Sequence, residues 1–159
     1  MLIKVEVASF GVEQGENIPL VILKECGGER SLPILIGSSE ANAIAIRALD
    51  INSERPLTID LAKLIMEELG GTLERVVIYD LVDQVFYARL YVSTGRSMHL
   101  IDCRPSDAIA LAMRCDCPVF VEDYVFEKNE NRKMLSGKDT LKRDIANLDT
   151  LDFGRYYMD

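Results

Sequence analysis

Short apolar segments separated by turn residues mark the first third of the chain. Residues 2 to 8 alternate between apolar and polar positions, which is the period of a strand with one buried face. Two further strands are predicted at 20 to 24 and 31 to 36, and the connection Cys26-Gly27-Gly28-Glu29 between them is typical of a tight turn. The chain is therefore predicted to begin with an antiparallel meander.

Two helical patterns follow this meander. Residues 41 to 49 are almost entirely apolar and rich in alanine, which is typical of a helix with no face for water. A second helix is predicted from Thr58, a suitable N-cap, to the stop at Gly70-Gly71. This second helix carries one apolar stripe, formed by Leu61, Leu64, Ile65 and Leu69.

The same order of elements then begins again. Residues 75 to 81, 85 to 92 and 97 to 102 predict three more strands. A helix is predicted to start at Pro105, because proline has no N–H to satisfy and its φ is already helical. Every side chain from 108 to 113 is apolar, so this helix is predicted to be buried on all sides.

The two alanine-rich helices indicate an internal duplication. The segment from 42 to 46 matches the segment from 107 to 111, and each follows three predicted strands. We therefore predict one domain over 1 to 126, made of two repeats at about 1 to 71 and 72 to 126. The predicted fold class is α+β, with each three-strand-plus-helices repeat contributing to a curved, barrel-like mixed sheet around buried alanine-rich helices.

The last part of the chain has a different character. Residues 118 to 126 predict another short strand, and 127 to 133, which are all polar or charged, predict an exposed loop. Leu141, Ile145 and Leu148 fall on one face of a predicted amphipathic helix. Residues 127 to 159 are thus expected to form a charged loop and a helix that docks on the domain or on a second subunit.

The composition and net charge of the chain disfavour several classes of protein. The chain has 159 residues and a formal net charge of −8, so a nucleic-acid substrate would need a local basic patch or a bridging cation, and a general DNA-binding module is disfavoured. No apolar run is long enough to cross a membrane. The alternating first residues lack the features of a signal peptide. We expect a cytoplasmic protein that does not bind membranes.

The cysteines and the single histidine favour structural roles. Four cysteines in a chain of this size fit reduced thiols better than a disulfide scaffold. Cys115 and Cys117 are separated by one residue, which is closer than in the usual zinc knuckles. A zinc site that also uses Cys103 and His99 is therefore the weaker alternative, and buried free thiols are the preferred interpretation.

One predicted strand has an unusual polar face. Tyr87, Arg89 and Tyr91 alternate with apolar residues between 85 and 92, so they share one face of the strand. An arginine between two tyrosines could stack on bases and contact phosphate. The alternative, a face covered by a helix or a second subunit, is favoured because the strand has no other basic residue.

Two helix starts carry the most interesting polar residues. Each joins an arginine, a hydroxyl and an acid: Arg55, Thr58 and Asp60 at the first, and Arg104, Ser106 and Asp107 at the second. In the simpler interpretation these residues only cap their own helices. In the functional one the two starts converge in one cleft, where carboxylates hold a divalent cation or activate water and arginines bind phosphate.

The two motifs Arg55-Pro56-Leu57-Thr58-Ile59-Asp60-Leu61 and 101 to 112 occur in the order found in one family. With them the chain resembles the bifunctional nucleases of bacteria and plants. The resemblance implies a duplicated α+β domain that tends to form oligomers, and activity on both RNA and DNA. The family commonly has histidine where this chain has Ile59, so a mechanism that uses that imidazole could not operate unchanged here.

These observations predict a nuclease of low sequence specificity that hydrolyses phosphodiester bonds in RNA, DNA or both. Its candidate catalytic residues are those of the two helix starts, Asp60, Asp107, Arg55, Arg104, Thr58 and Ser106. A divalent cation such as Mg²⁺ or Mn²⁺ is the candidate cofactor, with ligands that the sequence does not identify, and no organic cofactor is expected. A homo-oligomer, preferably a dimer, is expected. The alternative is a non-catalytic homo-oligomeric binding or regulatory module.

Overall fold

The computed structural model of the chain describes residues 1 to 12 and 17 to 136. Within these residues the chain forms seven strands and four helices. In chain order they are β1 (Leu2–Val12), β2 (Pro19–Glu25), β3 (Ser31–Leu35), α1 (Ser38–Ala48), α2 (Thr58–Glu68), β4 (Gly71–Val82), β5 (Val85–Thr94), β6 (Ser97–Cys103), α3 (Pro105–Cys115), β7 (Val119–Glu122) and α4 (Asp123–Ser136).

All seven strands belong to one mixed sheet, in the order β3-β2-β1-β7-β4-β5-β6. The short strand β7 joins the two halves, because Val119 pairs with Val5 of β1 in antiparallel fashion and with Val76 of β4 in parallel. The other neighbouring strands are antiparallel. The predicted α+β class is therefore confirmed. The sheet is open, with β3 and β6 as its edges, and the predicted duplication and barrel-like shape stay predictions.

Helix α3 lies at the centre of the fold. It packs against α1, α2, β4 and β5. The start at Pro105 is confirmed, and the predicted burial is confirmed as well, because Ala108, Ile109 and Ala112 are almost completely shielded from water. Small alanine side chains let α3 and α1 approach closely. None of the helices in the described part of the chain is long and apolar enough to span a membrane.

The end of the described chain differs from the prediction. Strand β7 ends at Glu122, and residues 123 to 136 form helix α4, so the predicted strand to 126 and the predicted loop at 127 to 133 are wrong. Val125, Phe126 and Asn129 are buried, and this spacing places them on one helical face that docks on the domain. The predicted helix with Leu141, Ile145 and Leu148 lies outside the described residues.

Helix α2 differs from the prediction in its N-cap and in the exposure of its apolar stripe. Leu57 is the N-cap and Thr58 is the first helical residue, so the predicted N-cap is wrong by one position. The apolar stripe does not lie in the core of the described chain. Its four residues are all exposed: Leu61 at 50%, Leu64 at 42%, Ile65 at 52% and Leu69 at 78%.

Candidate active site at the two ends of α3

A partly buried ion pair joins the start of α2 to the end of α3. One carboxylate oxygen of Asp60, Oδ2, accepts the backbone N–H of Leu57 at 2.9 Å. The other, Oδ1, accepts Nε of Arg114 at 2.5 Å. Arg114 is only 7% exposed and also donates from Nη1 to the carbonyl of Ala110 at 3.1 Å. Asp60 thus closes the first turn of its own helix and holds a buried cation of the neighbouring one.

The surroundings of Asp60 keep its carboxylate ionised. Burial by itself would raise the pKa of Asp60, because it removes water from the charged form. The N–H of Leu57 and the guanidinium of Arg114 act against burial and outweigh it, so the pKa lies below its ordinary value. Such a carboxylate is a good electrostatic anchor and a weak proton acceptor near neutral pH.

Two further cations bind the carbonyl groups at the C-terminal end of α3. Arg47 of α1 donates from Nε to the carbonyl of Met113 at 3.1 Å, and Lys63 of α2 donates from Nζ to the carbonyl of Arg114 at 3.0 Å. Cations at this end complement the negative end of the helix dipole. The arrangement fastens α1 and α2 to the same turn of α3.

These residues line an open cleft of about 680 Å³ between the α1–α2 connection and the end of α3. Arg55 lines it as well, is exposed, and forms no ion pair with any carboxylate of the described chain. Carboxylates also lie along the cleft, so its charge is mixed. The acidic lining residues besides Asp60 are Asp50, Glu54, Glu67 and Asp116. We call this space the α2 cleft.

The second helix start forms a more exposed cluster. Arg104, the N-cap of α3, is 66% exposed in its side chain and pairs with Glu40 of α1 at 2.7 Å. It also donates to both carboxylate oxygens of Asp107, at 2.8 and 3.2 Å. The hydrogen bond to Asp107 raises the pKa of Arg104, so this guanidinium stays charged. The cluster ties the starts of α1 and α3 together at the protein surface.

A second cleft of about 410 Å³ lies beside this cluster. Arg104 and the buried Ser106 line it together with apolar residues of β3 and of the start of β5, among them Ile34 and Phe86. We call this space the α3 cleft. Each of the two predicted motifs therefore lines a cleft of its own.

The structure does not bring the two helix starts together. Asp107 lies in the first turn of α3, whereas Asp60 contacts Arg114 in its last turn. Asp107 and Arg114 are seven positions apart in α3, which corresponds to a rise of about 10 Å. The predicted convergence in one cleft is therefore wrong for the described chain. Thr58 is exposed at the start of α2, where it leaves the N-cap position to Leu57.

Sequence reasoning missed the residues that link elements across the fold. Arg114 directly follows the apolar run from 108 to 113, and a charge in that position is a signal that could have been noticed. Glu40, Arg47 and Lys63 carry no comparable signal, because charged residues are common on helix surfaces. Ile59 packs against the hydrophobic core and is not among the lining residues of either cleft.

The cysteines differ in their exposure to water: Cys26 is exposed, and Cys103, Cys115 and Cys117 are partly buried. The described chain forms no disulfide, and its four cysteines are free thiols. Burial raises the pKa of Cys103 and of Cys117 to about 12, and it raises the pKa of Cys115 as well. These three thiols are therefore poor nucleophiles. No group of three or more His, Cys, Asp or Glu side chains that could hold a metal ion occurs among the described residues.

Comparison with known proteins identifies the family of this chain. The model of the bifunctional nuclease domain matches residues 21 to 133. An uncharacterized protein of Mycobacterium tuberculosis is 41% identical over 122 residues, which cover 77% of this chain and 73% of that protein. Bifunctional nucleases 1 and 2 of Arabidopsis thaliana are each 28% identical, over 124 and 135 residues. These matches cover 76% and 79% of this chain, but only 38% and 41% of the plant proteins.

Proposed function

Because the chain belongs to the bifunctional nuclease domain family, we propose that it hydrolyses phosphodiester bonds in RNA, DNA or both with low sequence specificity. The α2 cleft is the proposed reaction site. The observation that carries this choice is the exposed Arg55, which pairs with no carboxylate of the described residues and lies on the wall of the cleft that contains Asp60 and Lys63. A guanidinium without a carboxylate partner is free to bind a phosphate through two parallel hydrogen bonds.

The contacts of the residues in this cleft indicate a different role for each of them. Arg55 binds the phosphate of the substrate, and Lys63 adds positive charge from the adjacent turn of α2. Asp60 does not take a proton, since both of its oxygens are engaged and its pKa is lowered. It acts as a positioning residue that holds Arg114 and the start of α2. Asp50 and Asp116, which are exposed on the rim, are the candidates for activating water.

Metal assistance is a separate part of the proposal. The described residues do not fit a resident ion held by the protein alone, because they hold no cluster of three or more ligating side chains. Mg²⁺ is often bound by one or two carboxylates together with substrate phosphates. Dependence of cleavage on Mg²⁺ or Mn²⁺, and its loss in EDTA, therefore tests whether a cation enters with the substrate.

The experiment compares the two clefts through matched arginines. Labelled single-stranded RNA and DNA are incubated with the wild-type protein, with Arg55→Gln and with Arg104→Gln, with Mg²⁺, Mn²⁺ or EDTA. Arg55→Gln is expected to lower kcat/KM by about 100-fold, the size of effect for losing one charged transition-state contact, whereas Arg104→Gln should stay within about threefold.

Circular dichroism of each variant verifies the fold. If Arg104→Gln reduces cleavage and Arg55→Gln does not, the reaction site lies in the α3 cleft instead. A wild-type protein that cleaves neither nucleic acid under any of these conditions would overturn the nuclease proposal.

One observation favours a second candidate function, a non-catalytic homo-oligomeric module. The exposed stripe of α2, formed by Leu61, Leu64, Ile65 and Leu69, is the kind of apolar surface that subunit interfaces cover. Light scattering on the wild type and on Leu64→Lys tests it. A wild-type dimer that becomes monomeric in the variant, together with an absence of cleavage, would favour this module.

A further inference from the structure

The sheet face turned away from α3 carries a row of arginines and tyrosines. Ile78 of β4 and Ala88 of β5 are cross-strand partners whose side chains lie in the core with α3. Residues that alternate with them along the two strands lie on the opposite face. We call this surface the arginine–tyrosine face, and its members are Arg75, Tyr79, Tyr87, Arg89 and Tyr91.

The side chains of this face stack on each other. The Cζ atom of Arg75 lies 4.2 Å from the centroid of the Tyr91 ring, and that of Arg89 lies 3.9 Å from the centroid of Tyr79. The rings of Tyr79 and Tyr87 are tilted by 52°, with centroids 6.1 Å apart. Guanidinium groups and aromatic rings therefore form two stacked groups on these two strands, one of Arg75 with Tyr91 and one of Arg89 with Tyr79 and Tyr87.

The two arginines of this face make no direct ion pair within the described chain. Arg30 and Arg104 each bind two carboxylates at other positions in the fold. Neither Arg75 nor Arg89 forms an ion pair with a carboxylate of the described chain, and Nε of Arg75 is buried without a hydrogen-bond partner there. Two acids lie near these arginines but bind hydroxyl groups. Asp102, the cross-strand neighbour of Arg89, accepts the hydroxyl of Tyr79 at 3.0 Å, and Glu74 accepts that of Ser93 at 2.6 Å. In a protein with a net charge of −8, these guanidinium groups remain without a direct carboxylate contact among the described residues.

The edge strand extends the same face with apolar side chains. Leu100 and Met98 of β6 pair with Tyr91 and Ser93 of β5 and are 53% and 48% exposed. Tyr87 at the other end is 38% exposed. Exposed rings, guanidinium planes and apolar side chains on an open sheet are the usual components of a surface on which unpaired bases stack.

We propose that the arginine–tyrosine face binds a single-stranded nucleic acid, with bases stacked on its rings and guanidinium planes and with phosphates contacting the two arginines. The inference deepens the proposed nuclease function by naming the strand it acts on. Because this face lies on the opposite side of the sheet from α3, it holds the strand and does not cleave it. A duplex, whose bases are already stacked, should bind much more weakly.

The test is fluorescence anisotropy with labelled oligothymidine and oligouridine of about 20 nucleotides, beside a duplex of the same length, at about 50 mM salt. Tyr87→Ala and Arg89→Gln are each expected to weaken single-strand binding by about tenfold. Tyr87→Phe should bind like the wild type, because it keeps the ring. The matched control is Lys24→Gln, which removes an exposed cation of β2 in the other half of the sheet and should change affinity less than twofold.

The outcomes separate this inference from the nuclease proposal. Equal affinity for duplex and single strand, no binding, or unchanged binding in Tyr87→Ala would overturn the inference even if the protein cleaves nucleic acid. A wild-type oligomer that Tyr87→Ala converts to a monomer without loss of affinity would overturn it too, in favour of a subunit interface. Conversely, the protein could bind single strands and cleave nothing. If Tyr87→Ala then weakens that binding, the result supports the binding face and overturns the nuclease proposal.

Discussion

The two ends of α3 carry similar residues in different environments. At the C-terminal end, Arg114 is 7% exposed and binds Asp60 of another helix. At the N-terminal end, Arg104 has a 66% exposed side chain and binds Asp107 three residues further along its own helix. Both arginines also link α3 to another helix, since Arg104 pairs with Glu40 of α1. The difference is that Arg114 is shielded from water, whereas Arg104 is largely accessible to it. Burial, and not the kind of residue, decides how much each pair contributes.

The largest expected effect is on stability, at the buried end. Arg114→Met keeps most of the volume of the side chain but leaves Asp60 without its cation. We expect the free energy of unfolding to fall by about 3 kcal/mol, which is the lower end for breaking a buried pair because Asp60 keeps some contact with water. Urea denaturation followed by circular dichroism measures it.

The matched change at the exposed end is Arg104→Met. Surface ion pairs contribute little, because water screens them and ordering two side chains costs entropy. We expect a loss of no more than about 1 kcal/mol under the same conditions. An equal loss in the two variants would contradict the difference in burial between the two ends.

A pH dependence is expected for the Asp60 pair. The folded pKa of Asp60 lies below its unfolded value, so the stabilisation is fully present above the unfolded pKa of about 4 and is lost as the pH falls through the folded pKa. The difference in stability between the wild type and Asp60→Asn should be largest near pH 7 and should shrink below about pH 4. Denaturation midpoints between pH 3 and 7, in a common buffer series, would reveal it, and a constant difference would refute the prediction.

The smallest expected effect is in thiol labelling, which compares local opening at the two ends. Cys103 precedes Arg104, and Cys115 follows Arg114. In the wild type we expect exposed Cys26 to react quickly and the other three thiols slowly, since burial raises the pKa of each of them. Arg114→Met should speed the labelling of Cys115 more than that of Cys103. Peptide mass spectrometry after timed alkylation distinguishes the sites, and equal acceleration would indicate global unfolding.

The apolar pattern of α2 predicted the helix correctly, but it did not predict that the apolar stripe of that helix is exposed. Leu61, Leu64 and Ile65 have the spacing of a helix with one apolar face, and that helix exists. In the described chain Ile59 and Met66 pack against the core instead of this stripe, and Asp60 and Lys63 make polar contacts to Arg114. Periodicity shows which residues share a face, but it does not show what covers that face.

The arginine–tyrosine face teaches a related lesson about cross-strand neighbours. Tyr87, Arg89 and Tyr91 could be placed on one face from β5 alone. Arg75 and Tyr79 come from β4, and their positions depend on the pairing register, which contains two irregularities. Because a shift of one residue moves a side chain to the opposite face of a sheet, no local pattern could have assigned Arg75 to this surface.

Local physical chemistry in the sequence determined the parts of the fold that depend on neighbours along the chain. Pro105 determined where α3 begins, and the unbroken apolar run after it determined that the helix is buried. Only the tertiary structure decided which helix ends meet, that β7 joins the two halves, and that Asp60 and Asp107 lie at opposite ends of α3. These features depend on contacts between residues far apart in sequence, which hydrophobic periodicity does not encode.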